Sequence, residues 1–303
     1  MNDIYTWPND LYPLVKKRFE LRYDERMDLI SQLAGIVEQA EVDYRLEGVG
    51  GFGELPEYDG TLLHSDQKRS FITTITPIEH AIAATVSYKK AKIDMSGEAQ
   101  KTGTRLADSA YMTVLNSFYR LFQNAFTTTK LADGKTWAAT DHPINTDANA
   151  KTFSNLISET LSVSAITEAQ KLASGFLTPD GLPLGGNYDL LLVSPELESK
   201  AREICGPDAK LCPKYNPDGS TFAANPVHGL KYFVVGGGGI GLSGDQWALA
   251  DSMMIKEILK LVYITKPTVL VATQDNPLVT DYIGYVDYAF GVADARAVIF
   301  SNP

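Results

Sequence analysis

Two rhythms of apolar positions alternate along the chain, one near helical spacing and one at period two, and together they predict a mixed α+β architecture. From Leu11 to about Glu41 the sequence is charge-rich, with Leu29, Ile30, Leu33, Ile36 and Val37 near helical spacing. This predicts an arm containing one amphipathic helix. Ahead of those positions, Tyr5, Trp7, Leu11 and Tyr12 stand among Pro8 and Pro13, apolar but irregular, so this terminus is expected to need another surface to cover it. From Gly48 to Arg69 neither rhythm is present. Glycines at 48, 50, 51, 53 and 60, and Pro56 between Glu54 and Glu57, predict a long excursion from any core. Loops above about 12–15 residues without their own structure are uncommon in compact domains and are usually functional or disordered.

After the excursion, Phe71, Thr73 and Ile75 alternate with Ile72, Thr74 and Thr76 and predict one or two strands. Ser96 is a candidate N-cap, with Glu98 in the first turn, for a long helix from about Glu98 to Phe126. Leu106, Tyr111, Val114, Leu115, Phe118, Phe122, Ala125 and Phe126 form its apolar face. At 1.5 Å per residue it is roughly 40 Å long, the length of a spine for the fold. A turn-rich connector follows, then a helix over about Ser164–Ser174 stopped by Gly175, an apolar strand over Tyr188–Val193, and a helix opened by Ser194-Pro195. Beyond Lys231 the segments KYFVV, QWALAD, KLVYI, TVLVAT and the run from Tyr282 to Phe300 are strand-like. No internal repeat or low-complexity tract is present.

Composition narrows the classes of function. With 44% hydrophobic and 21% charged residues in 303 positions, the chain can bury a sizeable core. The formal charge of −10 removes the basic excess that holds proteins to phosphate backbones without regard to sequence. No apolar run approaches the roughly 18 residues of a membrane span, and the N-terminus lacks a secretory apolar core, so a soluble chain made in a cytoplasm is expected. The 2 cysteines, Cys205 and Cys212, cannot by themselves make a disulfide framework or a four-ligand zinc site.

Candidate catalytic chemistry is sparse. The 4 histidines, His64, His80, His142 and His228, sit in no metal-binding spacing, so neither a metal nor a catalytic group is assigned. Asp141-His142-Pro143 reads as a proline-ended turn rather than a proton relay, because adjacent side chains on an extended segment point to opposite sides. Gly236 to Gly241 satisfies G-x-G-x-x-G after the strand-like KYFVV, the pattern that cradles a pyrophosphate in dinucleotide-dependent enzymes. Leu242 to Asp251 alternates like a strand rather than opening a helix, so a glycine-rich hairpin or loop is the preferred reading and no cofactor is expected.

Several stretches, taken in order, resemble the major capsid proteins of tailed double-stranded-DNA bacteriophages with the Hong Kong 97-type fold. Thr136-Trp-Ala-Ala-Thr-Asp-His142-Pro143-Ile-Asn145 is similar to the family's connector after its spine helix, and Leu161-Ser-Val-Ser-Ala-Ile-Thr-Glu-Ala to the helix that follows. Asp180-Gly181-Leu-Pro183-Leu184, then Tyr188-Asp-Leu-Leu-Leu-Val193-Ser-Pro195-Glu-Leu197-Glu198, is the most specific match. Trp247-Ala-Leu249-Ala-Asp251 resembles a family strand, and Tyr288 to Arg296 the closing strand of a Mu-related branch.

The resemblance implies an N-terminal arm over 1–47, an extended loop over 48–75, a peripheral domain with the spine helix over 76–136, an axial domain over 137–261, and C-terminal strands over 262–303 returning to the peripheral domain. It implies a non-enzymatic shell subunit that joins copies of itself in pentamers and hexamers around double-stranded DNA without reading its sequence. A portal, a decoration protein and, because the long helical leader of some relatives is not seen, a separate scaffolding protein are expected partners. Loop and arm residues expected at contacts between subunits are Trp7, Lys16, Lys17, Arg18, Glu54, Pro56, Glu57, Tyr58, Asp59, Asp66, Lys68 and Arg69, with acids of the loop meeting basic groups across subunits. No covalent cross-link between subunits is expected. An encapsulin-type nanocompartment shares the fold and is the nearest rival reading.

Overall fold

The computed structural model describes residues 5–50, 57–58, 70–147, 149–206, 209, 211–212, 223–273 and 276–303. In chain order its elements are α1 (Trp7–Asp24), α2 (Asp28–Leu33), β1 (Gly35–Glu38), β2 (Tyr44–Glu47), β3 (Ile72–Ile75), β4 (Ile78–Ser87), α3 (Tyr88–Ile93) and α4 (Met95–Gln123). There follow β5 (His142–Pro143), β6 (Thr152–Phe153), β7 (Leu156–Ile157), α5 (Val163–Ser174), β8 (Leu190–Val193) and α6 (Glu198–Cys205). The remainder is β9 (Leu211–Cys212), β10 (Ala223–Ala224), β11 (Lys231–Val234), β12 (Gly236–Gly237), β13 (Ile240–Gly241), β14 (Trp247–Ala250), α7 (Met254–Ile258), β15 (Leu259–Thr273), β16 (Val279–Val292) and β17 (Val298–Ser301). Contacts divide the chain into two units, each made of three separated segments: 1–44, 75–117 and 261–290, and 45–74, 118–260 and 291–303.

The first unit is a sheet in the order β1-β15-β16-β4, carrying α1 and most of α4. On α1 the buried positions are Trp7, Pro8, Leu11, Val15, Phe19 and Tyr23, and all but Pro8 fall on one stripe. That stripe packs with Ala99, Leu106, Ala107, Ala110, Val269 and Tyr282 in one core. Trp7 Nε1 donates to the Pro277 carbonyl at 3.0 Å, and the Tyr12 hydroxyl to the Val269 carbonyl at 3.0 Å. The terminus expected to seek another surface is thus covered by its own chain, because every fourth residue from Trp7 to Tyr23 is apolar and packs on the same core. Pro8 lies in the first turn, where no N–H partner is needed, and Pro13 is exposed. The single amphipathic helix expected to about Glu41 is likewise replaced: α2 ends at Leu33, and Ile36 and Val37 lie in β1.

The spine helix is present as α4, 29 residues or about 43 Å long. Its first turn is capped by Asp94 rather than Ser96, the Asp94 carboxylate accepting from the Gly97 N–H at 2.9 Å. At Gly103 the helix comes so close to α1 that a Cβ would stand 2.7 Å from the Val15 carbonyl.

The second unit is built on a sheet in the order β11-β8-β14-β17-β7. β8 pairs parallel with β11, while β14 runs antiparallel to both β8 and β17. β8, β14 and β17 are buried along their whole lengths, which is why Leu190–Val193 and Trp247–Ala250 read as apolar runs without alternation. α5 and α6 cover this sheet through Ile166, Ala169, Ala201 and Ile204. The C-terminal strands expected to stay together over 262–303 part company: β16 stays in the first unit up to Phe290, and β17 enters the second. Gly236 and Gly237 pair antiparallel with Gly241 and Ile240, so the glycine run is the hairpin β12–β13. Gly238 and Gly239 form its two-residue turn at φ +60° and +83°, values that favour glycine.

Candidate functional site: the root of the extended segment and the exposed surfaces

The residues that follow β2 and those that precede β3 meet at a buried polar cluster of the second unit. Gly48 N–H donates to the Phe71 carbonyl at 3.1 Å, closing the root. The next amide, Val49 N–H, donates to Asp294 Oδ2 at 3.2 Å. A Cβ on Gly48 would stand 2.6 Å from Ser70 Oγ and 3.0 Å from Asp294 Oδ2, so the close approach requires glycine.

Asp294 belongs to a larger arrangement around Arg296, which is 2% exposed. Arg296 donates from Nη1 to Asp294 Oδ2 at 2.6 Å, from Nη2 to the Ile144 carbonyl at 2.6 Å and from Nε to the Leu177 carbonyl at 2.9 Å. The guanidinium carbon lies 4.9 Å from the centre of the Phe153 ring. A buried charge is tolerated only when paired and hydrogen-bonded, and this one meets both conditions. Beside it His142 pairs through Nδ1 with Asp133 Oδ2 at 2.6 Å. Its other ring nitrogen, Nε2, is buried without a partner. Burial raises the Asp133 pKa, but the hydrogen bonds from His142 and from the Lys135 N–H outweigh it and hold the carboxyl below its ordinary value. His142 does not partner Asp141, which pairs with Lys135 instead, and His142-Pro143 forms a short strand against Thr152-Phe153. The cluster anchors chain segments. No group of three or more His, Cys, Asp or Glu among the described residues is placed to hold a metal.

Of the residues expected at contacts between subunits, Glu54, Pro56, Asp59, Asp66, Lys68 and Arg69 lie outside the described residues. Glu57 and Tyr58 are exposed, Tyr58 at 71%. Trp7 departs from the expectation: it is fully buried in the first unit, held by the stripe of α1. Lys16 pairs with Glu20 one turn on, Lys17 is exposed, and Arg18 Nε donates to Thr104 Oγ1 on α4 at 3.2 Å. Arg18 shares a cleft with Lys101 and Arg105. The structure thus gathers one expected base with two on α4 that the sequence had not singled out.

One surface was missed by the sequence reading. β4 is the edge of its sheet and exposes Ile78 at 65% and Ile82 at 52%. The signal is legible in retrospect: Ile78 to Ser87 contains one acid, no lysine and no proline, an unguarded edge. Cys205 is a free, buried thiol whose pKa burial pushes up to about 11. No helix among the described residues is long and apolar enough to cross a membrane.

No curated protein matches the chain in sequence. Among solved structures, the virus-like particle from Pyrococcus furiosus superposes with a TM-score of 0.55 at 7% identity, over 96% of this chain and 99% of that one. The capsid of Ralstonia phage GP4 gives 0.55 at 12% identity, over 89% and 87% of the two chains. The capsid of the empty GTA particle gives 0.53 at 13% identity, over 90% and 88%. At such identities the likeness is one of fold, and the fold is the Hong Kong 97-like fold of phage capsids. The sequence pattern described as phage capsid protein matches residues 72–300, from β3 to β17, and the chain therefore belongs to the phage capsid protein family.

Proposed function

We propose that the chain is the major head subunit of a tailed double-stranded-DNA phage, copies of which form pentamers and hexamers that close into an icosahedral shell around the genome. The observation that carries this reading is the family match over residues 72–300, set on a fold in which nearly all of those residues have a place. The first unit serves as the peripheral domain and the second as the axial domain packed around five-fold and six-fold centres. The segment from Gly48 to Arg69 reaches over a neighbouring subunit, its root held by Asp294 and its acids meeting basic groups of the neighbour. The run from Tyr288 to Arg296 supports a place in the Mu-like branch.

Heterologous contacts repeated around closed rings need no active site, and their strength is the sum over many modest interfaces. The net charge of −10 suits a container that repels its DNA and leaves it free to be ejected. A separate scaffolding protein, a portal and a decoration protein complete the assembly, which takes place in the host cytoplasm and ends in the virion. The phage family match favours a head over an encapsulin-type compartment. The dinucleotide reading loses its support because Gly236–Gly241 is a hairpin and no helix opens there to face a pyrophosphate.

Negative-stain microscopy with light scattering of the purified full chain, alone and with its scaffolding protein, tests the reading. Shells or rings of five and six are the expected result. A chain that stays monomeric or dimeric under both conditions, and binds NAD, would overturn it.

A further inference from the structure

Several bases on α1 are neutralised by acids beside them. Lys16 lies 3.9 Å from Glu20, Arg22 lies 3.5 Å from Glu25, and Arg22 and Arg26 share Asp108 at 3.1 and 3.2 Å. One group of bases in the first unit lacks such partners. Arg18 of α1 and Lys101 and Arg105 of α4 border a cleft of about 370 Å³ that is open to solvent and lined by no acid. None of the three forms an ion pair among the described residues.

The packing of the two helices builds this cleft. At Gly103 a Cβ would stand 2.7 Å from the Val15 carbonyl oxygen and 3.0 Å from Arg18 Cβ, so glycine lets α1 close on α4 and sets Arg18 against it. Arg18 Nε then donates to Thr104 Oγ1 at 3.2 Å, which leaves both terminal nitrogens of the guanidinium to a ligand. Lys101 and Arg105 stand four residues apart on α4, so their side chains share a face. Of the nearest acids, Asp94 accepts from the Gly97 N–H at 2.9 Å and Glu98 does not line the cleft. Next to α1, α3 exposes Lys89, Lys90 and Lys92, so residues 88–105 carry five bases against two acids in a chain whose net charge is −10.

Two guanidiniums and an ammonium around a space without acids are suited to phosphate, because the arginine fork matches phosphate oxygens in pairs. The cleft is open and far larger than one phosphate, so it admits phosphates that belong to a polymer. We infer that it takes the backbone phosphates of double-stranded DNA, with Arg18, Lys101 and Arg105 as the cationic ligands. The inference rests on the shell reading above, which makes the duplex the polyanion that every copy meets, and it turns the face of the first unit bearing this cleft toward the particle interior. Contacts of this kind read no sequence. The acidity of the whole chain does not forbid them: in about 0.1 M salt, charges more than about 10 Å away are largely screened, and the three bases of the cleft dominate what a phosphate meets there.

Fluorescence anisotropy of a short labelled duplex, titrated with the disassembled full chain over a series of salt concentrations, tests it. Arg18→Gln/Lys101→Gln/Arg105→Gln should lower affinity at least about tenfold and flatten the slope of log affinity against log salt by about 3, one for each base removed. Lys101→Glu/Arg105→Glu, confined to α4, should weaken binding at least as much without touching the bond between Arg18 and Thr104. Lys16→Gln/Arg22→Gln/Arg26→Gln removes the same charge from bases already paired and should leave affinity within about twofold. Equal losses in the cleft and control variants, or a native chain that does not bind the duplex, overturn the inference and leave the shell reading standing, because assembly is read separately by microscopy. Inorganic pyrophosphate that binds through the three bases while the duplex does not overturns DNA as the source of the phosphate. Polyglutamate that competes better than the duplex overturns phosphate as the ligand. A chain that binds the duplex through the cleft yet forms no shells or rings keeps the site and overturns the shell reading.

Discussion

Arg296 carries a full charge into a site 2% exposed, and each of its three donor positions finds an oxygen. Removing one partner leaves the charge without compensation. Asp294→Ala is therefore expected to cost about 3–5 kcal/mol in denaturant unfolding, far more than the loss of an exposed ion pair. It should also free the Val49 amide, whose exchange should rise with the variant. A second expectation concerns pH. Because the Asp133 carboxyl is held below its ordinary value, its pairing stabilises the fold above the unfolded-state pKa of 3.8 and is lost as pH falls through the lower folded value. An acid titration of stability should be shallower below about pH 4 for Asp133→Asn than for the native chain, and indistinguishable slopes would remove Asp133 from the account. Little of this was legible in the sequence. Arg296 reaches Ile144 and Leu177, and Asp294 reaches Val49, across separations that only the folded chain closes, whereas the pairing of His142 away from its neighbour Asp141 followed from the geometry of an extended segment.

At the scale of elements, the long α4 and the buried strands β8 and β14 were readable because their patterns are long or uniformly apolar. The first helix was not, although Trp7, Leu11, Val15, Phe19 and Tyr23 recur every fourth residue. Pro8 suits the first turn, but Pro13 stands inside the helix, and here the buried stripe outweighs that one internal proline. Each of those side chains contributes about 1.5–3 kcal/mol on burial, against about 3 kcal/mol for a proline inside a helix. Pro13→Ala should accordingly raise stability by about 1–2 kcal/mol, after allowing for the greater freedom it restores to the unfolded chain. Trp7→Ala should lower it by about 3–5 kcal/mol. Both are read from equilibrium melts of the dissociated chain, and a neutral Trp7→Ala would contradict the packing of α1. KLVYI and TVLVAT, separate segments in the sequence, form the single strand β15, which runs through Pro267 to Thr273 with Tyr12 bonded to the Val269 carbonyl beyond the proline.

For the whole molecule, the motifs from Thr136 to Arg296 carried the resemblance because their order along the chain is more specific than any one of them, and the family match from Ile72 to Phe300 spans all of them. The contact residues were less legible, since a solvated charge and a charge awaiting a neighbour look alike in one sequence. If the acids of the extended segment meet a neighbouring subunit, a Glu54→Ala/Glu57→Ala/Asp59→Ala variant should form shells that melt several degrees lower than native ones. Shells of unchanged thermal stability would remove those acids from the interface.

The interleaving of the two units has a further consequence. The segments 261–290 and 291–303 supply long strands to one unit and, between β14 and β7, an inner strand to the other, so the first sheet is incomplete until β16 has been made and the second until β17 has. A polypeptide cut short by a stalled ribosome or a protease has no finished second unit to offer, and the order of synthesis itself becomes a checkpoint that keeps defective copies from being built into a lattice with no means of replacing them.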